Sequence, residues 1–149
     1  MTNNSTSSIT LTDQDKLTLA TAAHGAVALI TAAGVKSAGK VAVAGALALS
    51  AATGPVGHAL AEKQKSVKLK GKSTAELADT ALPALTASMS LLQQQDQAEA
   101  ANFRSTVLTA VEAGARAERG GTGPAMTEMI RKITEALDAS PNPTPIAGS

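Results

Sequence analysis

Hydrophobic positions recur along this chain with the spacing of α-helices, and the pattern predicts where each helix begins. Thr12, followed by acids in what would be a first turn, opens a helix over 13–33. Residues 17–33 contain no Asp, Glu, Lys or Arg, so this helix is apolar on almost every side. Such a helix lies either at the centre of a bundle or in lipid. A second helix is expected over 37–52, and Gly54-Pro55 breaks or bends it.

The second half of the chain is more clearly amphipathic. Three long helices are expected there, and their start signals are Ser73, Asp96 and Pro124. Ser73 and Glu76 together form a capping-box pattern. Pro83 should bend the helix that follows or mark its first turns, and Gly120-Gly121 ends the next helix.

These elements predict an all-α fold, a single-domain bundle of about five helices over residues 11–138. A short helical piece over 56–65 and a lysine-rich loop, or a very short strand pair, complete its first half. Residues 1–10 are rich in Ser, Thr and Asn and are expected to be a disordered lead-in. Residues 139–149 repeat proline and are expected to be a disordered tail.

Composition removes several classes of function. About a fifth of the 149 residues are alanine, against one Phe and no Tyr, Trp or Cys. Aromatic side chains supply most stacking and hot-spot contacts, and the net charge of +1 gives no global basic field, so no specific nucleic-acid binding is expected. The absence of cysteine suits a cytoplasmic protein. A core of small side chains gains from extra burial, which makes a homodimer plausible.

The motifs that suggest chemistry have simpler explanations. Gly71-Lys-Ser-Thr74 resembles the end of a phosphate-binding loop, but Ser66 stands where that loop needs its first glycine. We interpret the string as a helix cap. His58 and Glu62 are four residues apart and could share a metal, whereas His24 lies in an apolar helix as a buried imidazole. We predict no catalytic residue, no metal site and no cofactor, and enzyme activity is not favoured.

Two groups of residues remain as candidates for contact with a partner. The first is the lysine segment, residues 63–72, which contains Lys63, Lys65, Lys68, Lys70 and Lys72. The second is the pair Met126 and Met129 in the last helix, because methionine adapts to irregular surfaces. A solvated loop and ordinary core filling are the respective alternatives. The sequence thus predicts a small soluble protein that binds another protein or itself.

Membrane association is the rival interpretation. Residues 17–60 could form an apolar helical hairpin, and the lysines that follow could contact anionic lipid. Both segments consist largely of Ala, Gly, Thr and Ser rather than the strongly apolar Leu, Ile and Phe, and no Trp or Tyr marks an interface. We therefore expect the soluble bundle and keep the hairpin as the alternative.

Three stretches resemble the tellurite-resistance TerB-like helical proteins: 26–34, 107–114 and 129–137. In each, an alanine-rich helix meets a glycine turn or another helix. The resemblance implies an all-α fold for about half of the chain. The Ala-Asp-Gly turn of that family is missing here, because the turns read Ala33-Gly34-Val35 and Arg119-Gly120-Gly121, so no metal role is carried over. The alanine content is also similar to that of small uncharacterised proteins of high-GC bacteria.

Overall fold

A computed structural model describes residues 9–34, 36–69 and 72–139. Within these ranges the α-helices are α1 (Asp13–Ala33), α2 (Ala38–Ser50), α3 (Gly54–Glu62), α4 (Thr74–Gln95), α5 (Gln97–Ala117) and α6 (Pro124–Asp138). A 3₁₀ turn, Gln64–Ser66, follows α3, and the described residues contain no strand. The predicted all-α, single-domain bundle is confirmed. It has six helices because the short piece after Thr53 is a helix of its own.

Side-chain caps set the first residue of the three longest helices. At α1, Thr12 Oγ1 accepts from the Asp15 N–H at 3.0 Å, and the Asp15 carboxylate accepts from the Thr12 N–H at 3.1 Å. Ser73 and Glu76 form the same reciprocal pair at α4, with distances of 3.1 and 2.8 Å. Asp96 caps α5 with its carboxylate. These local bonds satisfy backbone N–H groups that would otherwise lack partners, so the helices start where the sequence predicts.

Pro83 lies inside α4, so the expectation that it marks the first turns of that helix is wrong. Proline cannot donate to the carbonyl of Asp79, four residues earlier. Both residues are exposed, so the carbonyl that loses its donor is on the solvent side of α4. The helix continues through the proline because the other side of α4 is buried against α1.

The first helix is the central element of the bundle. α1 contacts every other described α-helix, and its most extensive contact is with α4. The two helices approach closely at Gly25, where an added Cβ atom would lie only 2.6 Å from the Cβ of Ala81. Small side chains permit this short separation between the helices. The central position explains why residues 17–33 are apolar on nearly every side.

The last two helices contribute buried side chains to the same core. Phe103 of α5 is completely buried, as is Ile133 of α6. Thr86 Oγ1 of α4 donates to the carbonyl of Ala136 at 2.7 Å. Arg104 Nε donates to the Asp138 carboxylate at 2.9 Å, which fixes the end of α6 on α5.

The described part of the chain begins two residues before the predicted start of the bundle. Ile9 packs against the core, and Thr10 exchanges two backbone hydrogen bonds with the side-chain amide of Gln95, at 2.7 and 2.9 Å. The rest of the predicted lead-in, 1–8, and the tail from residue 140 onward lie outside the described residues.

Candidate protein-interaction surface

The lysine segment is only partly free of internal contacts. Lys63 is half-buried, and its Nζ lies 3.5 Å from an Asp13 oxygen and 3.7 Å from a Glu62 oxygen. Lys65, Lys68 and Lys72 are exposed, whereas Lys70 lies outside the described residues. Lys63 therefore forms ion pairs at the end of α3 and the start of α1, and three described lysines of the segment remain available to a partner.

The apolar residues of this segment hold it against the bundle. Val67 and Leu69 are half-buried and pack against the core. Between and beside them, Ser66 and Lys68 are exposed. The predicted loop thus alternates anchored apolar side chains with solvated polar ones, without forming a strand among its described residues.

The two methionines are core residues to different degrees. Met126 is 1% exposed, and Met129 is half-buried and packed against the same core. Burial removes Met126 from the accessible surface of the chain. Only the outer part of Met129 remains open to a partner.

The histidines stand in unrelated surroundings. His24 Nε2 lies 3.2 Å from the carbonyl oxygen of Leu60 and joins α1 to the end of α3. His58 is exposed on α3, and its neighbour Glu62 is paired with Lys16 at 3.2 Å as well as with Lys63. In the described ranges no group of three or more His, Asp or Glu side chains is placed to hold a metal ion.

The second helix carries an exposed apolar surface that the sequence pattern did not reveal. Val43 is 60% exposed and Leu47 is 65% exposed, and these are the exposed large hydrophobic residues of the described chain. They lie one turn apart on the same side of α2. We call this side the α2 outer face; it consists of Gly39, Lys40, Val43, Ala46, Leu47 and Ser50, all exposed. It carries one charge, whereas the exposed side of α6 carries Glu128, Arg131, Lys132 and Glu135.

The opposite side of α2 is fixed to the bundle. Val41, Gly45 and Leu49 are buried, and α2 contacts α5 and α1. A Cβ atom on Gly45 would lie 2.8 Å from Cγ1 and 3.0 Å from Cγ2 of Val27, so only glycine fits at this distance. With this side packed against α1 and α5, Val43 and Leu47 lie on the side of α2 that faces solvent.

A buried carboxylate fixes the amino end of α2. Glu118, which is 6% exposed, accepts from the backbone N–H groups of Lys36 and Ser37, both at 3.0 Å. In return, the Arg119 N–H donates to Ser37 Oγ at 3.2 Å. Ser37 does not cap α2 with its own hydroxyl, so the Glu118 carboxylate from the end of α5 supplies the negative charge that a helix amino terminus favours.

The carboxyl end of α2 carries no complementary charge of its own. Its last turn contains no basic residue, and the Ser50 hydroxyl donates to the Leu47 carbonyl at 2.8 Å. Lys40 lies in the first turn, where a cation is unfavourable for the helix dipole, and it forms no ion pair with any described residue.

Surface hollows also occur among the described residues, and two of them lie near helices already discussed. One of about 360 Å³ lies just beyond the α2 outer face and is lined by Ala52, Thr53, Gly54, Gly57, His58 and Ala61. A second, of about 350 Å³, lies between α1 and α4 and includes Leu17 and Pro83. Neither contains converging polar groups of the kind that orient a small ligand.

Among the described helices, α1 alone is long and apolar enough to cross a membrane by length and composition. Half of its most apolar stretch is buried inside the bundle, as expected for the core helix of a folded domain. α2 is apolar but shorter than a span. The hairpin over 17–60 would therefore require α1 to leave its contacts with α4, α5 and α6.

Comparison of the chain with protein-family models, with curated proteins and with solved structures gave no match. The resemblance to the TerB-like proteins stays a prediction from sequence.

Proposed function

We propose that this chain is a small, non-enzymatic, cytoplasmic helical module that acts by binding a protein surface through the α2 outer face. The observation that carries this proposal is the exposure of Val43 and Leu47 on a helix whose inner side is already fully packed. Single exposed apolar residues are common and need no explanation. Here two of them are adjacent on a face with one charged residue.

The energetics support contact at this face. Burying a Val or Leu side chain that was exposed gains roughly 1.5–3 kcal/mol for each residue. Little of the gain is offset by desolvation of charge, because Lys40 at the edge is the one ionised group of the face. Because Glu118 and the Gly45 contact already hold α2 in place, ordering this helix adds little to the entropic cost of binding.

Capture of partners by matched variants tests the proposal. The unchanged chain, Leu47→Glu and Ala101→Glu are immobilised and exposed to an extract of the cells that make the protein. Ala101 is exposed on α5, so its variant adds the same charge away from α2. Proteins captured by the unchanged chain, further copies of this chain included, should be retained by Ala101→Glu and lost with Leu47→Glu. Capture that survives Leu47→Glu, or no capture by the unchanged chain, would contradict the proposal.

The exposed lysines favour a second candidate function, contact with an anionic surface. Lys65, Lys68 and Lys72 project from a segment that Val67 and Leu69 hold against the core. Each lysine near an anionic membrane contributes about 1 kcal/mol, so three give weak, salt-sensitive binding. Flotation with phosphatidylserine vesicles tests it. Protein that floats at low salt and sinks at high salt would support the candidate, and protein that stays at the bottom at low salt would exclude it.

A further inference from the structure

We infer that the partner of the α2 outer face is a second copy of this chain, bound with its α2 antiparallel to the first. This inference rests on the proposed function and names the partner of the same surface. Three features support a second copy: the two large apolar side chains of the face pair with each other when the helix is reversed, its one charge then meets the negative end of the partner's helix dipole, and its size suits a reversible dimer.

The first feature is the spacing of the exposed side chains. A two-fold axis midway between Val43 and Leu47 places Val43 of one copy opposite Leu47 of the other, and the reverse pair follows by symmetry. The same register places Lys40 opposite Ser50. Gly39 and Ala46, also on the face, have little or no side chain, so the two helix axes can approach closely.

The second feature is electrostatic. Lys40 lies at the amino end of α2, where its charge opposes the helix dipole, and the carboxyl end has no base in its last turn. Antiparallel pairing places each Lys40 near the negative carboxyl end of the partner's α2. The dimer therefore contains two such contacts. A parallel pair would instead place the two Lys40 side chains together, which is repulsive.

The third feature is size. α2 has 13 residues and is therefore about 20 Å long. One helix pair of that length buries less than the roughly 800 Å² per partner of a standard stable interface, so the dimer should form and dissociate with concentration.

Sedimentation velocity over a range of protein concentrations tests the inference with charge variants. The unchanged chain should shift from monomer to dimer as its concentration rises, and Leu47→Glu should remain monomeric. Lys40→Glu should weaken the dimer about three- to thirty-fold, because two dipole contacts of 0.3–1 kcal/mol are lost. The double variant Lys40→Glu/Ser50→Lys should restore it, since the new lysine lies opposite the new glutamate. Lys132→Glu, on the exposed side of α6, is the matched control and should leave the dimer unchanged.

The melting temperature of Lys40→Glu distinguishes weaker pairing from misfolding. Glutamate at position 40 adds an acid to the first turn of α2, which favours the helix. A weaker dimer in a variant with an equal or higher melting temperature therefore reports on pairing alone. A chain that remains monomeric at every concentration overturns the inference, as does a dimer that Lys40→Glu leaves unchanged or that the double variant does not restore. The proposed function fails by a different result, capture of another protein that survives Leu47→Glu.

Discussion

Ser37 and Glu118 are far apart in the sequence, yet the Ser37 N–H donates to Glu118 Oε1 at 3.0 Å in the turn before α2. The second carboxylate oxygen accepts from the Lys36 N–H, also at 3.0 Å, so one buried side chain at the end of α5 holds the start of α2. This contact holds the amino end of α2 and, together with the close approach of Gly45 to Val27, determines which of its residues face solvent.

Replacing Glu118 should loosen α2 before it affects the rest of the bundle. Glu118→Ala removes two hydrogen bonds to a charged acceptor and leaves the donors in a half-buried turn, at a cost of about 2–4 kcal/mol in the free energy of unfolding. Glu118→Gln, which keeps one acceptor oxygen, should lose less. Urea unfolding gives the free energies, and amide exchange shows where the loss falls. Glu112→Ala, at an exposed position of α5, is the control; an equal loss in both alanine variants would contradict the role of Glu118.

Gly45 sets the distance between α2 and α1. Alanine normally stabilises a helix relative to glycine by roughly 0.5–1 kcal/mol, but here its Cβ would lie 2.8 Å from a methyl group of Val27. Val27 cannot rotate both methyl groups away, because its side chain is branched at Cβ. Gly45→Ala should therefore lower the free energy of unfolding by about 1–3 kcal/mol.

A double-mutant cycle checks that assignment. Val27→Ala in the Gly45→Ala background removes the clash, so the two changes together should cost less than the sum of the separate changes. Gly39→Ala has nothing within 4 Å of its Cβ position and should be neutral or slightly stabilising. Strictly additive costs at positions 27 and 45 would show that the close approach is not what holds α2.

The sequence predicts the helices better than their outward faces. The start of α1 and of α4 depends on residues three positions apart, Thr12 with Asp15 and Ser73 with Glu76, and such local signals are visible without a structure. α2 has small apolar residues on all sides, so its periodicity does not distinguish the face covered by α1 and α5 from the open one. Contacts between distant residues, Gly45 with Val27 and Ser37 with Glu118, decide this.

The same difference between local signals and tertiary contacts explains which candidate contact residues are exposed and which are not. Composition predicts that a lysine-rich segment is exposed, and Lys65, Lys68 and Lys72 are. It does not predict that Lys63 lies beside Asp13, because α3 reaches the start of α1 only in the folded chain. Methionine suits either a core or a surface, and only packing places Met126 in the core.

The capping box of α4 makes a pH-dependent contribution to stability. A hydrogen bond from the Ser73 backbone N–H, and after it one from the Ser73 hydroxyl, hold the pKa of Glu76 below its usual value. Because the folded-state pKa is lowered, the contribution is present above the unfolded-state pKa and is lost as the pH falls through the folded-state pKa. Ser73→Ala should raise the pKa of Glu76 part of the way back, since the backbone donor at 2.8 Å remains.

A carboxyl ¹³C titration by NMR measures this change. The pKa of Glu128, which is lowered by its hydrogen bond to Arg131 on α6, serves as the internal reference and should not move. An unchanged Glu76 pKa in the Ser73 variant would show that the serine hydroxyl has no part in it.

Charge reversal in the lysine segment separates its role from that of α2. Lys65→Glu/Lys68→Glu/Lys72→Glu changes three exposed side chains, so the free energy of unfolding should change little, about 0.5 kcal/mol per site at most. Binding to phosphatidylserine vesicles or to an acidic partner should be lost, while the monomer–dimer equilibrium stays as it was. Loss of the dimer in this variant would place the self-association surface at the lysines instead of α2.

Cross-linking at single introduced cysteines tests antiparallel pairing of α2 most directly, because the chain has no cysteine of its own. Position 46 lies beside the proposed two-fold axis, whereas the two copies of position 39 are separated by about 18 Å along the helix axes. Both sites are exposed, and the Cβ position of Gly39 has open space around it. With a short bismaleimide, Ala46→Cys should give a covalent dimer and Gly39→Cys should not. Equal cross-linking at both positions, or none at position 46, would contradict the antiparallel pair.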